Sequence, residues 1–220
     1  MSKAGTTSNN EAPGSRSGDL RSALIAAALE LAAEGRDWNF SLREVARRAG
    51  VSHNAPYNHF VHKRDLMGAA ALVGHEVLRN KLKAVGARTK DPRTAIFRMG
   101  CEYVKFGIQN AALYQLMFTA SLSDPDWQPE GAVAANVETR GMVEEVLRTG
   151  AVKGVFPSAL TRKSNLEAAS LFAWSAVHGL TMLAINGLTN VEEGSLDRAT
   201  EKLMAMVLDG MGQKNELSER

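Results

Sequence analysis

The sequence predicts an all-α protein, an N-terminal three-helix unit carrying a helix-turn-helix followed by a larger helical domain. Three observations predict it. Nearly every apolar segment repeats with a helical rather than an alternating period. Ser41-Leu42-Arg43-Glu44 has the spacing of a capping box and is followed by a Gly50-Val51 corner. Downstream of that corner the chain is long, apolar and punctuated by helix-start and helix-stop residues, with no convincing strand.

Composition sets the bounds. With 220 residues, 45% of them hydrophobic, the chain can bury its core in one larger domain or in a small domain joined to a larger one. A net charge of +2 excludes a protein coated in basic charge, so any nucleic-acid site is a local patch. The single cysteine, Cys101, allows no disulfide framework within the chain and fits a reducing cytoplasm. It lies in the apolar stretch MGCEYV and reads as a small buried hydrophobe.

The elements follow in order. Residues 1–18 are rich in Ser, Gly, Thr and Asn, lack the apolar core of a signal peptide and read as a disordered arm. Leu20, Leu24, Ala27, Ala28 and Leu31 share one face, predicting a helix from Asp19 to Ala33 that stops at Gly35. Trp38 and Phe40 anchor the connection. Ser41 caps a short second helix with Leu42, Val45, Ala46 and Ala49 inward, ending at Gly50. Ser52 caps a third helix that ends near His59 or Phe60.

From Lys63 a long helix turns Leu66, Ala69, Ala70, Val73 and Val77 inward. Asp91-Pro92 starts another, which runs through Ile96, Met99, Tyr103 and Phe106 to about Asn110. A short apolar helix spans Leu113 to Leu122, and Ser123-Asp124-Pro125-Asp126 forms a turn. Three further helices are expected at about Glu130 to Thr149, Arg162 to Asn186 and Ser195 to Met211. The stretch from Ala168 to Leu188 is the most apolar, but Ser170, Ser175, His178 and Asn186 make it a buried core helix rather than a membrane span. The expected domains are residues 19–65 and 66–213, with a flexible tail at 214–220.

The segment SLREVARRAGVSHNAPYNHF has the anatomy needed to enter a major groove. Small inward residues, Ala46 and Ala49, let the next helix pack close. Gly50 permits a left-handed turn, Val51 plugs the corner, and the following helix is left protruding with its early side chains in reach of base edges. Between Arg43 and Asp65 the cations Arg43, Arg47, Arg48, Lys63 and Arg64 outweigh Glu44 and Asp65 by +3, while the chain from Leu66 onward is neutral by the same count. That concentration suits a phosphate-contacting face, although a solvated surface carries such charges too. One feature disturbs the pattern. Pro56, fourth after a Ser52 cap, lacks an amide hydrogen and biases Ala55 away from helical angles, so either the first turn loosens or the helix starts later.

GVSHNAPYNHFVHKRDLM resembles the recognition-helix signature of the TetR family of bacterial regulators, in which a Val-Ser pair, a Tyr, a His-Phe pair and a Lys three residues beyond the Phe recur. Here these are Val51, Ser52, Tyr57, His59, Phe60 and Lys63. FAWSAVHGL, with Trp174, His178 and Gly179, resembles a subgroup whose ligand-binding domain carries a Trp-His-Gly-type motif. The resemblance implies phosphate contacts by Ser52, Tyr57 and Lys63, which fix register without reading sequence. Arg43 is a further expected contact, and His53, Asn54 and Asn58 are the expected base readers, Asn being able to pair in bidentate fashion with adenine. His59 suits packing as well as DNA contact, and Phe60 suits the core. The candidate DNA-binding set is thus Ser41, Arg43, Ser52, His53, Asn54, Tyr57, Asn58, His59 and Lys63.

The family resemblance also implies a ligand-binding and dimerisation domain after Leu66. The Arg162–Asn186 segment and the stripe Leu196, Ala199, Leu203, Met206 and Val207 suit half of an intermolecular four-helix bundle, unless both are satisfied within one chain. A homodimer matches a palindromic double-stranded operator. For a small, largely apolar effector the candidate ligands are Tyr103, Phe106, Met117, Phe118, Trp174 and His178, with Asn110 and Trp127 also on candidate inner faces. His178, on a nearly apolar helix, must find a hydrogen-bond partner.

Enzyme signatures are missing: no phosphate-cradling Gly loop with Lys, no His-Glu-x-x-His, no Gly-x-Ser-x-Gly. His53, His59 and His62 could hold a metal, but no cysteine accompanies them and their spacing matches no finger. The reading is therefore a DNA-binding regulator with no cofactor, no metal and no membrane partner, cytoplasmic, most simply a repressor released by its effector. An activator, or a helical interaction module without DNA binding, is the alternative.

Overall fold

The computed structural model describes residues 13–123, 131–189 and 195–212. They fall into two compact units, the first ending at Ala70 and the second beginning at Ala71. All regular structure among the described residues is helical.

In the first unit, α1 (Pro13–Gly35) packs on α2 (Leu42–Arg48), which packs on a 3-10 turn at Ala55–Asn58. Leu24, Ala28, Val45, Ala46, Phe60 and Leu66 form its core. The first helix begins at Pro13 rather than Asp19, so residues 13–18 join the helix instead of an arm. Proline suits the first helical position, where its missing amide hydrogen is not needed, and the Gly and Ser around it had masked that signal. The capping box is present as expected, with Ser41 at the N-cap of α2.

The corner after α2 is closed by two backbone bonds. The Val51 amide donates to the Ala46 carbonyl at 3.0 Å and the Gly50 amide to the Arg47 carbonyl at 3.2 Å. That is a Schellman pair, and it requires Gly50 at φ 70°. The third helix departs from expectation. Ser52 caps nothing; the segment is a single 3-10 turn over Ala55–Asn58, entered at Asn54 without a side-chain cap. Pro56 is buried at its start. The carbonyls of Ser52 and Asn54 are taken by the amides of Ala55 and Tyr57 at 3.0 and 3.2 Å, the tight three-residue pattern. Pro56 cannot donate, so no α-helical ladder can start at Ser52.

α3 (Lys63–Ala87) begins in the first unit and ends in the second. The second unit contains α4 (Pro92–Gln109), α5 (Ala111–Ser123), α6 (Ala132–Val152), α7 (Lys163–Ile185) and α8 (Leu196–Gly212). Asp91 caps α4, accepting from the Thr94 amide at 2.8 Å, with Pro92 at the first position as expected. α4 is the hub and packs against α5, α6, α7 and α8. Its inward residues Ile96, Met99, Tyr103 and Phe106 are buried.

Two expected stripes are displaced. On α3, Val77 is 40% exposed, and Ala71, Leu78, Leu82 and the histidine His75 take the inward positions. On α8, Thr200, Met204, Val207, Leu208 and Met211 are buried while Met206 is 71% exposed. α7 is long and apolar enough to cross a membrane by length and composition. It packs against α4, α6 and α8, and its Leu171 and Phe172 are 47% and 50% exposed among the described residues. The turn at 124–126, Trp127 and the tail at 214–220 lie outside the described residues.

Candidate nucleic-acid interface and apolar cavity

The first unit sorts the expected DNA-contacting residues into free and committed groups. Ser41 is committed. Its hydroxyl accepts from the Glu44 amide at 3.2 Å and donates to the Glu44 carboxylate at 2.8 Å, and its own amide donates to that carboxylate at 2.7 Å. These bonds hold the Glu44 carboxyl below the usual carboxylate range. Arg48, counted above among the local cations, turns back to α1. It forks onto Glu34 at 2.8 and 2.5 Å and reaches Glu30 at 3.3 Å. Its charge is spent on joining α1 to α2, and the free basic charge is smaller than the sequence count.

Lys63 is half-buried. Its ammonium donates to the Trp38 carbonyl and stands 5.0 Å from the centroid of the Phe40 ring. Burial lowers its pKa. His59 is half-buried against Phe60, with ring centroids 6.5 Å apart. The remaining candidates are open to solvent: Arg43 on α2, then Ser52, His53, Asn54, Tyr57 and Asn58 around the 3-10 turn. Tyr57 is 50% exposed, a large aromatic side chain left on the surface. Arg47, not among the candidates, is equally exposed. What emerges is a short polar, aromatic and basic surface built on the corner that Gly50 closes.

In the second unit, four side chains from α4, α5 and α7 meet around one hydroxyl. Trp174 Nε1 donates to the Tyr103 hydroxyl at 3.0 Å, and the Tyr114 hydroxyl donates to it at 2.9 Å. His178 Nδ1 lies 2.7 Å from the Tyr114 hydroxyl and 3.2 Å from that of Tyr103. This answers the demand for a partner to His178. Burial pushes the Tyr103 hydroxyl up to about 12, raises Tyr114 further and lowers His178, so the whole network is neutral at physiological pH. Tyr114 is fully buried and was not anticipated from the sequence; nothing local distinguishes it from a core aromatic.

Beside this network is a cavity of about 210 Å³, lined by residues from α3 to α8. Of the six ligand candidates it brings together Tyr103, Phe118 and Trp174. Phe106, Met117 and His178 do not line it. Phe106 is core, and Met117 packs on Gly74, whose missing Cβ leaves the space its sulfur occupies. Asn110 spends its amide on the Phe106 carbonyl at 2.8 Å. Leu78, Leu82, Ile96 and Met99 make the interior wall apolar. Polar groups on α6, Asn136, Thr139 and Arg140, also line the cavity and were not anticipated. Arg140 is itself paired with Glu144 at 3.3 Å. No cluster of three or more His, Cys, Asp or Glu among the described residues could hold a metal ion. Cys101 is half-buried and its thiol is pushed up to about 11, first by burial and then by Glu201 and Asp197, which disfavours the thiolate.

Comparison with known proteins agrees with this division. A family model described as bacterial regulatory proteins, tetR family, matches residues 24–70, and one described as tetracyclin repressor-like, C-terminal domain, matches residues 96–207. Among solved structures, a protein of unknown function from Rhodococcus sp. RHA1 is similar at a TM-score of 0.74 and 22% identity, over 94% of this chain and 100% of that one. A TetR family transcription regulator from Marinobacter aquaeolei VT8 is similar at 0.65 and 18%, over 91% and 100%. RolR in complex with resorcinol is similar at 0.63 and 17%, over 91% of each chain. At such identities the structural likeness speaks for the fold. No curated protein matches the sequence.

Proposed function

The chain belongs to the tetR family of bacterial regulatory proteins, and we propose that it is a repressor released from its operator by a small molecule. It is a DNA-binding transcriptional regulator and not an enzyme. The finer reading rests on one observation: the same chain carries an exposed polar and basic surface at a helix-turn-helix and, separately, a largely apolar cavity.

On this reading Ser52 and Tyr57 contact phosphate, Arg43 and Arg47 add sequence-independent attraction, and His53, Asn54 and Asn58 face the base edges. Lys63 contributes through the two ammonium hydrogens left beyond its bond to Trp38, and His59 and Ser41 support the surface more than they touch DNA. The protein acts in the cytoplasm as a homodimer joined through the exposed apolar faces of α7 and α8, and its operator is a palindrome. A small, largely apolar effector fills the cavity beside Tyr103, Phe118 and Trp174, and favours a conformation whose reading heads no longer match the half-sites. That RolR was solved with resorcinol shows the fold can hold a small molecule, and supports an effector here.

The test is a mobility-shift titration of genomic fragments over a range of salt. A specific, salt-sensitive complex that a cavity ligand dissolves is expected. Absence of any specific complex overturns the reading. A complex that the ligand strengthens makes the protein an activator or a co-repressed regulator instead.

A further inference from the structure

The cavity beside Tyr103 has an apolar inner end and a polar outer edge. Leu78, Leu82, Ile96 and Met99 line it from α3 and α4 and are between 1% and 4% exposed. α6 supplies the outer wall, where the lining residues Val133 and Val137 are 64% and 57% exposed. Most polar groups of the lining are already committed. The Tyr103 hydroxyl accepts from Trp174 Nε1 at 3.0 Å and from Tyr114 at 2.9 Å and lies 3.2 Å from His178 Nδ1, which fills its hydrogen-bonding capacity. Ser170 directs its proton to the Glu144 carboxylate and the Glu167 carbonyl, at 2.9 and 3.0 Å. Thr139 directs its own to the Ala135 carbonyl at 2.9 Å. The donors left over are Arg140 and Asn136, one turn apart on α6. Arg140 approaches Glu144 Oε1 with Nε at 3.3 Å, and neither of its Nη groups makes a hydrogen bond among the described residues. Asn136 makes none among them either. Glu144 balances the Arg140 charge, so this edge is neutral and rich in hydrogen-bond donors.

We propose that the cavity takes a neutral carbonyl compound, a ketone, ester or lactone with an apolar body, whose carbonyl oxygen accepts from the Arg140 Nη groups and the Asn136 amide. The inference rests on the effector reading of the cavity and narrows it to a ligand class. A carboxylate also accepts, but Glu144 already balances the Arg140 charge and repels a second anion, and the carboxylate must give up its water to enter. An ammonium brings only donors to an edge that already holds donors. A hydrocarbon leaves Arg140 and Asn136 as they are and gains burial alone. A carbonyl oxygen has lone pairs for both donors, and a bond from the charged guanidinium is stronger than one between neutral groups. The apolar body then lies toward Leu78, Leu82, Ile96 and Met99, away from the polar edge. Size agrees: an apolar cavity of about 150 Å³ holds benzene, so 210 Å³ holds a single ring or short chain bearing one such group.

The test uses the full chain and three probes of closely similar size: acetophenone, its hydrocarbon analogue cumene, and benzoate. Each is titrated calorimetrically into wild type and Arg140→Met, which keeps an apolar stem and removes the donors. The acetophenone-to-cumene affinity ratio should fall about tenfold in Arg140→Met, the effect of losing a hydrogen bond to a charged group, with cumene little changed. An unchanged ratio overturns the proposal and leaves the cavity as an apolar effector site. A wild type that takes benzoate in preference to acetophenone overturns it in favour of an anionic ligand. Binding of none of the probes to wild type overturns both this inference and the effector reading. Should Arg140→Met not fold, the infrared carbonyl stretch of acetophenone bound to wild type decides. It should lie below its position in a hydrocarbon solvent, because donors polarise the bond; a stretch at the hydrocarbon position overturns the proposal.

Discussion

Arg48 closes on Glu34 with both arms of its guanidinium, at 2.8 and 2.5 Å, and so pins the helix-turn-helix to the helix before it. Arg47, its neighbour, is exposed and makes no ion pair among the described residues. The two arginines should therefore separate in experiment. Arg47→Ala should weaken operator binding across sequences and make the salt slope shallower by about one unit. Arg48→Ala should lower the melting temperature and leave the salt slope alone. Equal salt-slope losses from both would mean that Arg48 leaves Glu34 to reach phosphate.

Gly50 should be the least tolerant position of the corner. At φ 70° it supplies the amide that bonds the Arg47 carbonyl, and there is open space where a Cβ would stand. The obstacle to substitution is backbone conformation alone. Gly50→Ala should cost about 1–2 kcal/mol, and Gly50→Asn less, because Asn tolerates the left-handed region. Thermal melting of the two variants checks the order. Equal melting temperatures would show that the corner adopts another conformation in solution.

How much of this was legible in the sequence follows the range of the interaction. The caps at Ser41 and Asp91 and the Gly50 turn are set by residues five positions apart or fewer, and their patterns stand in the sequence as they do in the structure. Pro56 was visible as a disturbance, but only the bond pattern decides that the segment becomes a 3-10 turn rather than a later helix. Arg48 was counted as free charge because its partners lie on another helix, at Glu30 and Glu34. On α3 the apolar pattern pointed to Val73 and Val77. The inward face runs instead through Leu78 and His75, and burial lowers the pKa of that ring, which favours the neutral form that a core position can hold. Likewise, the need for a partner at His178 was readable, but its identity, Tyr114 on another helix, is a property of packing.

Buried His75 and half-buried His178 give the stability a pH dependence of defined sign. Burial depresses both His75 and His178 from 6.5. The unfolded chain then binds more protons than the folded one, so stability is full above about pH 6.5 and falls as the pH drops toward the folded values. The carboxylates held low, at Glu34, Glu44, Asp91 and Glu145, start from 4.5 or 3.8 and contribute only in stronger acid. Melting temperatures between pH 7.5 and 5 therefore isolate the histidines. They should decline with falling pH, and less steeply in His75→Phe. A flat profile over that window would mean that the rings are not buried neutral.

Gly107 and Gly179 test the packing of α4 and α7 in opposite ways. A Cβ on Gly107 would lie 2.2 Å from the Thr181 methyl and 3.0 Å from the Tyr114 ring, whereas one on Gly179 meets nothing within 4 Å among the described residues. Gly107→Ala should destabilise by about 1–3 kcal/mol through overpacking, with the Tyr114–His178 bond disturbed alongside. Gly179→Ala should gain up to about 1 kcal/mol of helix propensity in a monomer. If Gly179→Ala instead destabilises in a concentration-dependent manner, a second chain lies against α7 at that point.

The exposed apolar residues of α7 and α8 carry the proposal of a dimer to its decisive test. Leu171, Phe172, Leu183 and Met206 are between 46% and 71% exposed in the single chain, and Phe172 lies beside Gly210, where its ring would touch an added Cβ at 3.8 Å. Facing water, these side chains lose the free energy of burial; facing a symmetric copy, they recover it. A charge placed among them is tolerated on a solvent face and costly in a dry interface. Phe172→Glu with Met206→Glu should therefore leave the helical content unchanged, convert the protein to a monomer by sedimentation, and abolish binding to a two-half-site operator while a single half-site is still bound weakly. A doubly substituted protein that still sediments as a dimer would place the interface on another surface of the second unit.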